Sequence, residues 1–160
     1  MIKNELIEYS NKILNGEIKA GQKHKWACQR FLNDLERIES DKDFNYTWDE
    51  EKAQRIVDWF SFLKHTKGIL AGQPIHLTTF QKFSVCQAFG WVHKETGMRR
   101  FKKVYKQVGR KNAKSQELSG VGLYMTTADG EQAPEVYCTA TKRDQAKIVF
   151  NESRYMALKS

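Results

Sequence analysis

Apolar residues recur at helical spacing through the N-terminal part of the chain. A first helix is predicted from Ile2, Leu6, Tyr9 and Ile13, and Asn15-Gly16 would end it. A second helix is predicted from about Gln22 to Ile38. A third helix is predicted to begin at a capping box formed by Thr47 and Glu50. Its apolar face, which is expected to point toward the core, comprises Ala53, Ile56, Val57, Phe60 and Leu63. Residues 1–73 are therefore predicted to be a helical region.

The pattern changes after a linker that carries Gly72 and Pro74. A fourth helix is predicted from about Thr79 to Trp91. Strands are then predicted at about 103–108 and 135–140, each followed by a helix, the first at about 114–126 and the second capped by Thr141. This alternation predicts an α/β domain over residues 74–160, built from the first βαβα units of a parallel sheet. Lys106 does not fit the first of these strands well, because a central strand of a parallel sheet should be buried and apolar.

Glycines interrupt the helix predicted at about 114–126. Gly120 and Gly122 should each weaken it by about 1 kcal/mol. We expect them to let the helix pack closely against a sheet.

The segment that indicates a function most clearly runs from Lys103 to Ser115. It is predicted to form a strand, a tight loop and the start of a helix. That layout is typical of a phosphate-binding loop, in which main-chain amides surround a phosphate and a lysine reaches its oxygens. Lys114 would be that lysine, and the hydroxyl of Ser115 would hold Mg²⁺. The following helix would direct its positive end at the phosphates. On this interpretation the chain binds ATP.

The motif departs from the usual G-x-x-x-x-G-K-[ST] pattern. Ala113 stands where the second glycine belongs, Val108 stands where the first belongs, and Gly109 comes one place late. An alanine forced to positive φ costs about 1 kcal/mol. The alternative from the residues alone is a basic surface loop in which Lys114 is one more solvated lysine.

The charge of the chain favours a polyanionic partner. The formal net charge is +8 and the pI is about 9.4. Residues 98–116 contain no acid and many bases. The chain opens without an apolar leader and has no run long enough to cross a membrane. Three distant cysteines and four histidines show no zinc or disulfide spacing, so a reduced compartment is expected.

Five pieces of the chain, taken in order, resemble the large terminase subunit of tailed bacteriophages, the motor that packs DNA into proheads. They are Gly21–Leu35, Leu77–Phe83, Phe89–Trp91, Gly109-Arg-Lys-Asn-Ala-Lys-Ser115 and Tyr137–Ala146. The resemblance implies a P-loop NTPase fold with a deviant phosphate loop, and the cofactors ATP and Mg²⁺. It also implies double-stranded DNA, a small terminase subunit and a portal protein as partners, oligomerisation of the full-length motor, and the host cytoplasm as location.

The resemblance assigns roles residue by residue. Lys114 matches the phosphate lysine and Ser115 the Mg²⁺ ligand, and Arg110 or Lys111 matches a second cation that faces the γ-phosphate. The nucleotide-binding loop would comprise Gly109, Arg110, Lys111, Asn112, Ala113, Lys114 and Ser115. Gln81 matches a position that reads adenine through its amide. The pattern Thr78-Thr-Phe-Gln81 is equally that of a capping box.

The acidic motif that ATP hydrolysis requires, an apolar strand ending in Asp-Glu, is not found after Ser115, and neither is the family's nuclease domain. The sequence therefore predicts an N-terminal fragment that binds ATP weakly, turns it over poorly and does not cut DNA. Two other functions stay open. One is a non-enzymatic basic module that binds DNA or a partner protein. The other is a different P-loop ATPase such as a helicase, which the N-terminal pieces disfavour.

Overall fold

The computed structural model describes residues 1–159. They form six helices and one two-stranded sheet: α1 (Ile2–Leu14), α2 (Gln22–Ser40), β1 (Tyr46–Trp48), α3 (Glu50–Phe62), α4 (Thr79–Gly90), β2 (Trp91–His93), α5 (Lys114–Thr127) and α6 (Arg143–Lys159). The secondary structure is thus mixed and rich in helix, and every predicted helix is present. The chain divides into two compact units and crosses between them three times, first inside α3.

The first unit comprises residues 1–57 and 77–104. Helix α1 packs against α2 and α4, and the apolar side chains predicted on α1 are buried. An aromatic core lies beside them, where Phe31 contacts Trp48, Phe83 and Trp91 at centroid distances of 5.3, 5.8 and 6.3 Å. Aromatic pairs in tilted and edge-on arrangements add to the stabilisation that burial provides.

The small sheet of the first unit is antiparallel. Its register pairs Tyr46 with His93, Thr47 with Val92 and Trp48 with Trp91. Position 90, directly before β2, requires glycine, because a Cβ atom there would lie 2.9 Å from both the Ala53 Cβ and the Trp48 ring. Strands of three residues carry little periodicity, so the hydrophobic pattern did not predict this pairing.

The capping box predicted at Thr47 and Glu50 is wrong. Thr47 lies in β1, and Asp49 supplies the cap instead, since its Oδ1 accepts the main-chain N–H of Lys52 at 2.9 Å. The Glu50 carboxylate accepts from the Trp48 indole N–H at 2.8 Å and from the Lys3 amide at 3.1 Å. Thr47 pairs with Val92 in the sheet and so does not cap α3.

The second unit comprises residues 58–76 and the chain from Tyr105 onward. Helices α5 and α6 pack along one another. The Ser119 hydroxyl donates to the Val149 carbonyl at 2.9 Å, and the Ser153 hydroxyl donates to the Ser119 carbonyl at 3.3 Å. Small side chains at these positions let the two helices approach closely. Glu152 of α6 accepts from the hydroxyl of Thr66, and Lys67 lies 3.1 Å from its other oxygen.

The strands predicted at 103–108 and 135–140 are wrong for the described residues, because neither segment forms a strand. A strand requires a ladder of main-chain hydrogen bonds with a neighbour, and within residues 1–159 neither segment has one. The described residues therefore contain no parallel βαβα sheet. Gly120 packs against the Phe60 side chain rather than against a sheet, and Leu118 of the same helix is exposed.

Candidate phosphate-binding loop

The loop predicted to bind phosphate, residues 109–113, leads directly into α5. Ala113 is the N-cap of the helix and adopts a left-handed conformation, with φ 51° and ψ 21°. This confirms the expectation of a positive φ at the position where the motif has glycine. Lys111 also has positive φ, at 66°. Two non-glycine residues in this region make the loop a strained segment, and such strain is often found where ligands bind.

Lys114 is the first residue of α5, and its side chain folds back over the loop. Its ammonium nitrogen donates to the main-chain carbonyls of Val108 and Gly109, both at 2.8 Å. The residue is otherwise exposed to solvent. The positive charge therefore lies across the loop while it remains exposed to solvent.

The first turn of α5 presents donors without acceptors. The main-chain amides of Lys114, Ser115 and Gln116 make no hydrogen bond within residues 1–159, and no side chain caps the helix. Such amides carry the positive end of the helix dipole. With the Lys114 ammonium they form an arrangement suited to an anion with several oxygens.

The remaining residues of the predicted loop have distinct positions. Asn112 closes it, since its side-chain amide donates to the carbonyls of Gly109 and Arg110, both at 3.2 Å. The side chains of Arg110 and Lys111 are exposed, and neither forms an ion pair with any described residue. Ser115 is exposed in the first helical turn. Gly109 to Ala113 thus form the loop, and Lys114 and Ser115 begin α5 directly after it.

Gln81 belongs to the first unit, at the start of α4. Its Oε1 accepts from the Thr78 amide and the Thr78 hydroxyl, both at 3.0 Å, while the Gln81 amide donates back to the Thr78 hydroxyl at 3.4 Å. The capping box weighed as an alternative at this site is therefore confirmed. A contact of Gln81 with adenine stays a prediction.

Sequence reasoning missed one pair beside the loop. The Lys106 ammonium lies 2.6 and 2.8 Å from the two carboxylate oxygens of Glu117, whose side chain is only 8% exposed. This pairing accounts for a lysine in a segment predicted to be a buried strand. A lysine in a segment predicted to be buried indicates that an acidic partner lies nearby. The sequence alone does not identify which acidic residue that is.

Other titratable groups lie away from the loop. Burial raises the pKa of the Cys86 thiol and of the Cys28 thiol, which leaves both as unreactive core residues. Among the described side chains, no three of His, Cys, Asp or Glu are grouped so as to hold a metal ion. Across residues 1–159, no helix has both the length and the apolar character needed to cross a bilayer.

Comparison with known proteins supports the resemblance inferred from the residues. A family model described as "Terminase large subunit, ATPase domain" matches residues 79–159, which include α4, the loop, α5 and α6. No curated protein and no solved structure gives a significant match. The family match covers just over half of the chain and spans every residue proposed to contact nucleotide. The chain belongs to the terminase large subunit ATPase-domain family, whose members provide the ATPase portion of phage DNA-packaging motors.

Proposed function

We propose that the loop Gly109–Ser115 binds the phosphates of MgATP, and that the chain thereby contributes the nucleotide site of a DNA-packaging motor. The single observation that carries this proposal is the Lys114 ammonium, held over the loop at 2.8 Å from two carbonyls beside uncapped helix amides. The family match to a terminase ATPase domain supports it independently.

The donor set of the loop fits a triphosphate. Phosphate oxygens accept several hydrogen bonds at once, and the first turn of α5 offers main-chain donors together with one ammonium group. Lys114 is bound in the resting loop only to neutral carbonyls, so a charged phosphate oxygen would be a stronger partner.

The other roles follow from the same placement. Ser115, exposed in the first helical turn, would offer its hydroxyl to Mg²⁺. Arg110 or Lys111, exposed and without a carboxylate partner in the described chain, would stabilise charge on the γ-phosphate. Gln81 would contact adenine only by exchanging its capping bonds to Thr78.

The packaging role extends beyond the loop. In this proposal, ATP hydrolysis is coupled to translocation of double-stranded DNA, with a small terminase subunit and a portal protein as partners and a homo-oligomeric motor as the working form. The loop and α5 would belong to a P-loop NTPase fold. The helical region 1–73 and the ATPase region 74–160 remain the proposed domains.

Binding of MgATP to the 160-residue chain tests the proposal, measured by titration calorimetry. We expect measurable binding by the unmodified chain and a loss of about 10- to 100-fold in affinity for Lys114→Ala, since a charge-assisted bond is removed. Lys103→Ala is the matched control, because Lys103 is an exposed lysine of the same basic segment with no ion pair among the described residues. It should bind as the unmodified chain does.

The competing function is a non-enzymatic basic module, which the acid-free run 98–116 favours. In that case MgATP would not bind at all, and affinity for DNA would fall steeply with salt as phosphate contacts release counterions. Equal losses of ATP affinity for Lys114→Ala and Lys103→Ala would also count against the loop, since they would indicate diffuse charge attraction.

A further inference from the structure

The two ends of the candidate loop are joined by a single ion pair. Lys106 precedes the loop, Glu117 follows it in the first turn of α5, and one ammonium contacts both carboxylate oxygens at 2.6 and 2.8 Å. The Lys106 side chain is 22% exposed and that of Glu117 is 8% exposed. Burial of this degree distinguishes the pair from the solvated ion pairs on the helix surfaces, such as Lys12 with Glu8.

The other contacts that hold the loop are few and exposed, beginning with the bonds from the Lys114 ammonium to the Val108 and Gly109 carbonyls at 2.8 Å. No strand leads into it, and residues 101–109 make no ladder with a neighbour among residues 1–159. Asn112 supplies two exposed hydrogen bonds of 3.2 Å. Lys111 and Ala113 both have positive φ, which residues with side chains avoid unless their surroundings hold them there. The Lys106–Glu117 pair adds the one contact that is largely buried, and it connects the two ends of the loop.

The pair also neutralises the negative charge of Glu117 at the start of α5. An unpaired carboxylate on Glu117 would lie in the same helical turn as Ser115 and would repel a bound phosphate. Lys106 neutralises that carboxylate and holds it away from solvent. Loss of the lysine and loss of the glutamate should consequently have unequal effects on anion binding, although either change breaks the pair.

We propose that Lys106 and Glu117 are positioning residues that hold the loop 109–113 in its anion-accepting conformation and cancel a negative charge beside it. This inference rests on the proposed phosphate-binding function of the loop. It concerns two side chains that touch neither nucleotide nor Mg²⁺ in that proposal and act through the main chain between them.

The first measurement needs no nucleotide. Hydrogen exchange of the main-chain amides at 117–119, the first of which donates to the Ala113 carbonyl at 2.9 Å, is compared with that of α6 in the 160-residue chain. We expect Lys106→Met to speed exchange at the start of α5 by about tenfold or more, since it leaves a buried carboxylate unpaired, and to leave α6 nearly unchanged. Lys106→Arg should restore protection because it keeps a cation that can contact both oxygens. Lys103→Met is the matched control.

The second measurement compares affinities for MgATP. We expect Lys106→Met to bind several-fold more weakly than Glu117→Gln, and the double variant Lys106→Met/Glu117→Gln to recover part of the difference, because it carries no unpaired charge. A merely structural pair would give equal losses for the two single variants. That equality would overturn the charge component of the proposal.

The two proposals fail in different ways. If the unmodified chain binds no MgATP, the phosphate-binding function fails while the exchange result for the loop still stands or falls by itself. If Lys106→Met leaves exchange at 117–119 unchanged, or speeds exchange equally in α6, the positioning role is overturned. Should Lys106→Met not fold, the exchange profiles of Lys106→Arg and of the uncharged double variant decide between these outcomes.

Discussion

Trp59 of α3 donates its indole N–H to the main-chain carbonyl of Gly120 on α5 at 3.0 Å. This bond connects the C-terminal part of α3 to α5 within the second unit, at the point where α5 has no side chain. A Cβ atom built on Gly120 would lie 2.4 and 2.7 Å from ring carbons of Phe60 and 3.2 Å from Leu63. The glycine therefore allows a close approach that any larger residue would prevent.

Gly120→Ala should destabilise the protein by about 1–3 kcal/mol, because Phe60 is fully buried and cannot move aside without disturbing its neighbours. Chemical denaturation followed by circular dichroism measures the change. The matched control is Gly122→Ala, where the added Cβ would meet only Val136 at 3.8 Å, an ordinary contact. That variant should gain about 0.5–1 kcal/mol from helix propensity. Similar effects at the two positions would show that Gly120 does not require its close contact.

Ala113→Gly should stabilise the protein by up to about 1 kcal/mol, because glycine adopts the observed φ of 51° without strain. Thermal unfolding provides the measurement. Ala128→Gly is the comparison, since Ala128 caps the other end of α5 at φ −127° and carries no such strain. It should lose stability through the greater freedom of glycine in the unfolded chain. A loss of stability for Ala113→Gly would contradict the strained conformation.

Arg100 should be hard to replace in the first unit. Its guanidinium bonds both carboxylate oxygens of Asp34 at 2.7 and 3.3 Å, and it lies 4.8–5.4 Å from the ring centres of Phe44, Tyr46, Trp91 and Phe101. Arg100→Lys loses the planar fork and should cost about 1–3 kcal/mol in urea denaturation. Asp34→Asn, which leaves the cation unpaired among these rings, should cost about 3 kcal/mol or more.

Lys12→Ala serves as the control for Arg100, because it breaks an exposed ion pair with Glu8. Its unfolding midpoint should match that of the unmodified chain. If Arg100→Lys also matched it, the buried pair would not contribute measurably to stability.

Stability of the first unit should fall as the pH rises from about 10 to about 12. Burial, with a smaller contribution from Cys28, raises the pKa of Tyr9 to about 12, and its hydroxyl lies 3.0 Å from the His24 Nε2. An unfolded tyrosine loses its proton near 10, so between these values the folded state binds more protons, and its advantage declines as the pH increases. Tyr9→Phe should remove this part of the pH dependence. An unchanged pH profile in that variant would exclude Tyr9 as the cause.

Much of the helical structure could be predicted from residue order. The apolar positions of α1 recur at helical spacing, and Asn15 and Gly16 end the helix where expected. The positive φ of Ala113 was also predictable, because the spacing to Lys114 and Ser115 places it at a position where phosphate loops have glycine. These features depend on neighbours a few residues apart, so local sequence contains the information.

The strands were not predictable in the same way. Segments 103–108 and 135–140 have the composition of strands but no ladder partner among the described residues, whereas the short β1 and β2 pair with each other. The Lys106 bond to Glu117, and the packing of Phe60 against Gly120, likewise join residues whose types allow many other partners. Helical periodicity is a property of a few adjacent residues, and so it can be recognised in the chain alone. Strand pairing, buried charge pairs and close helix contacts depend on which distant groups meet, and that is set by the packing of the folded molecule.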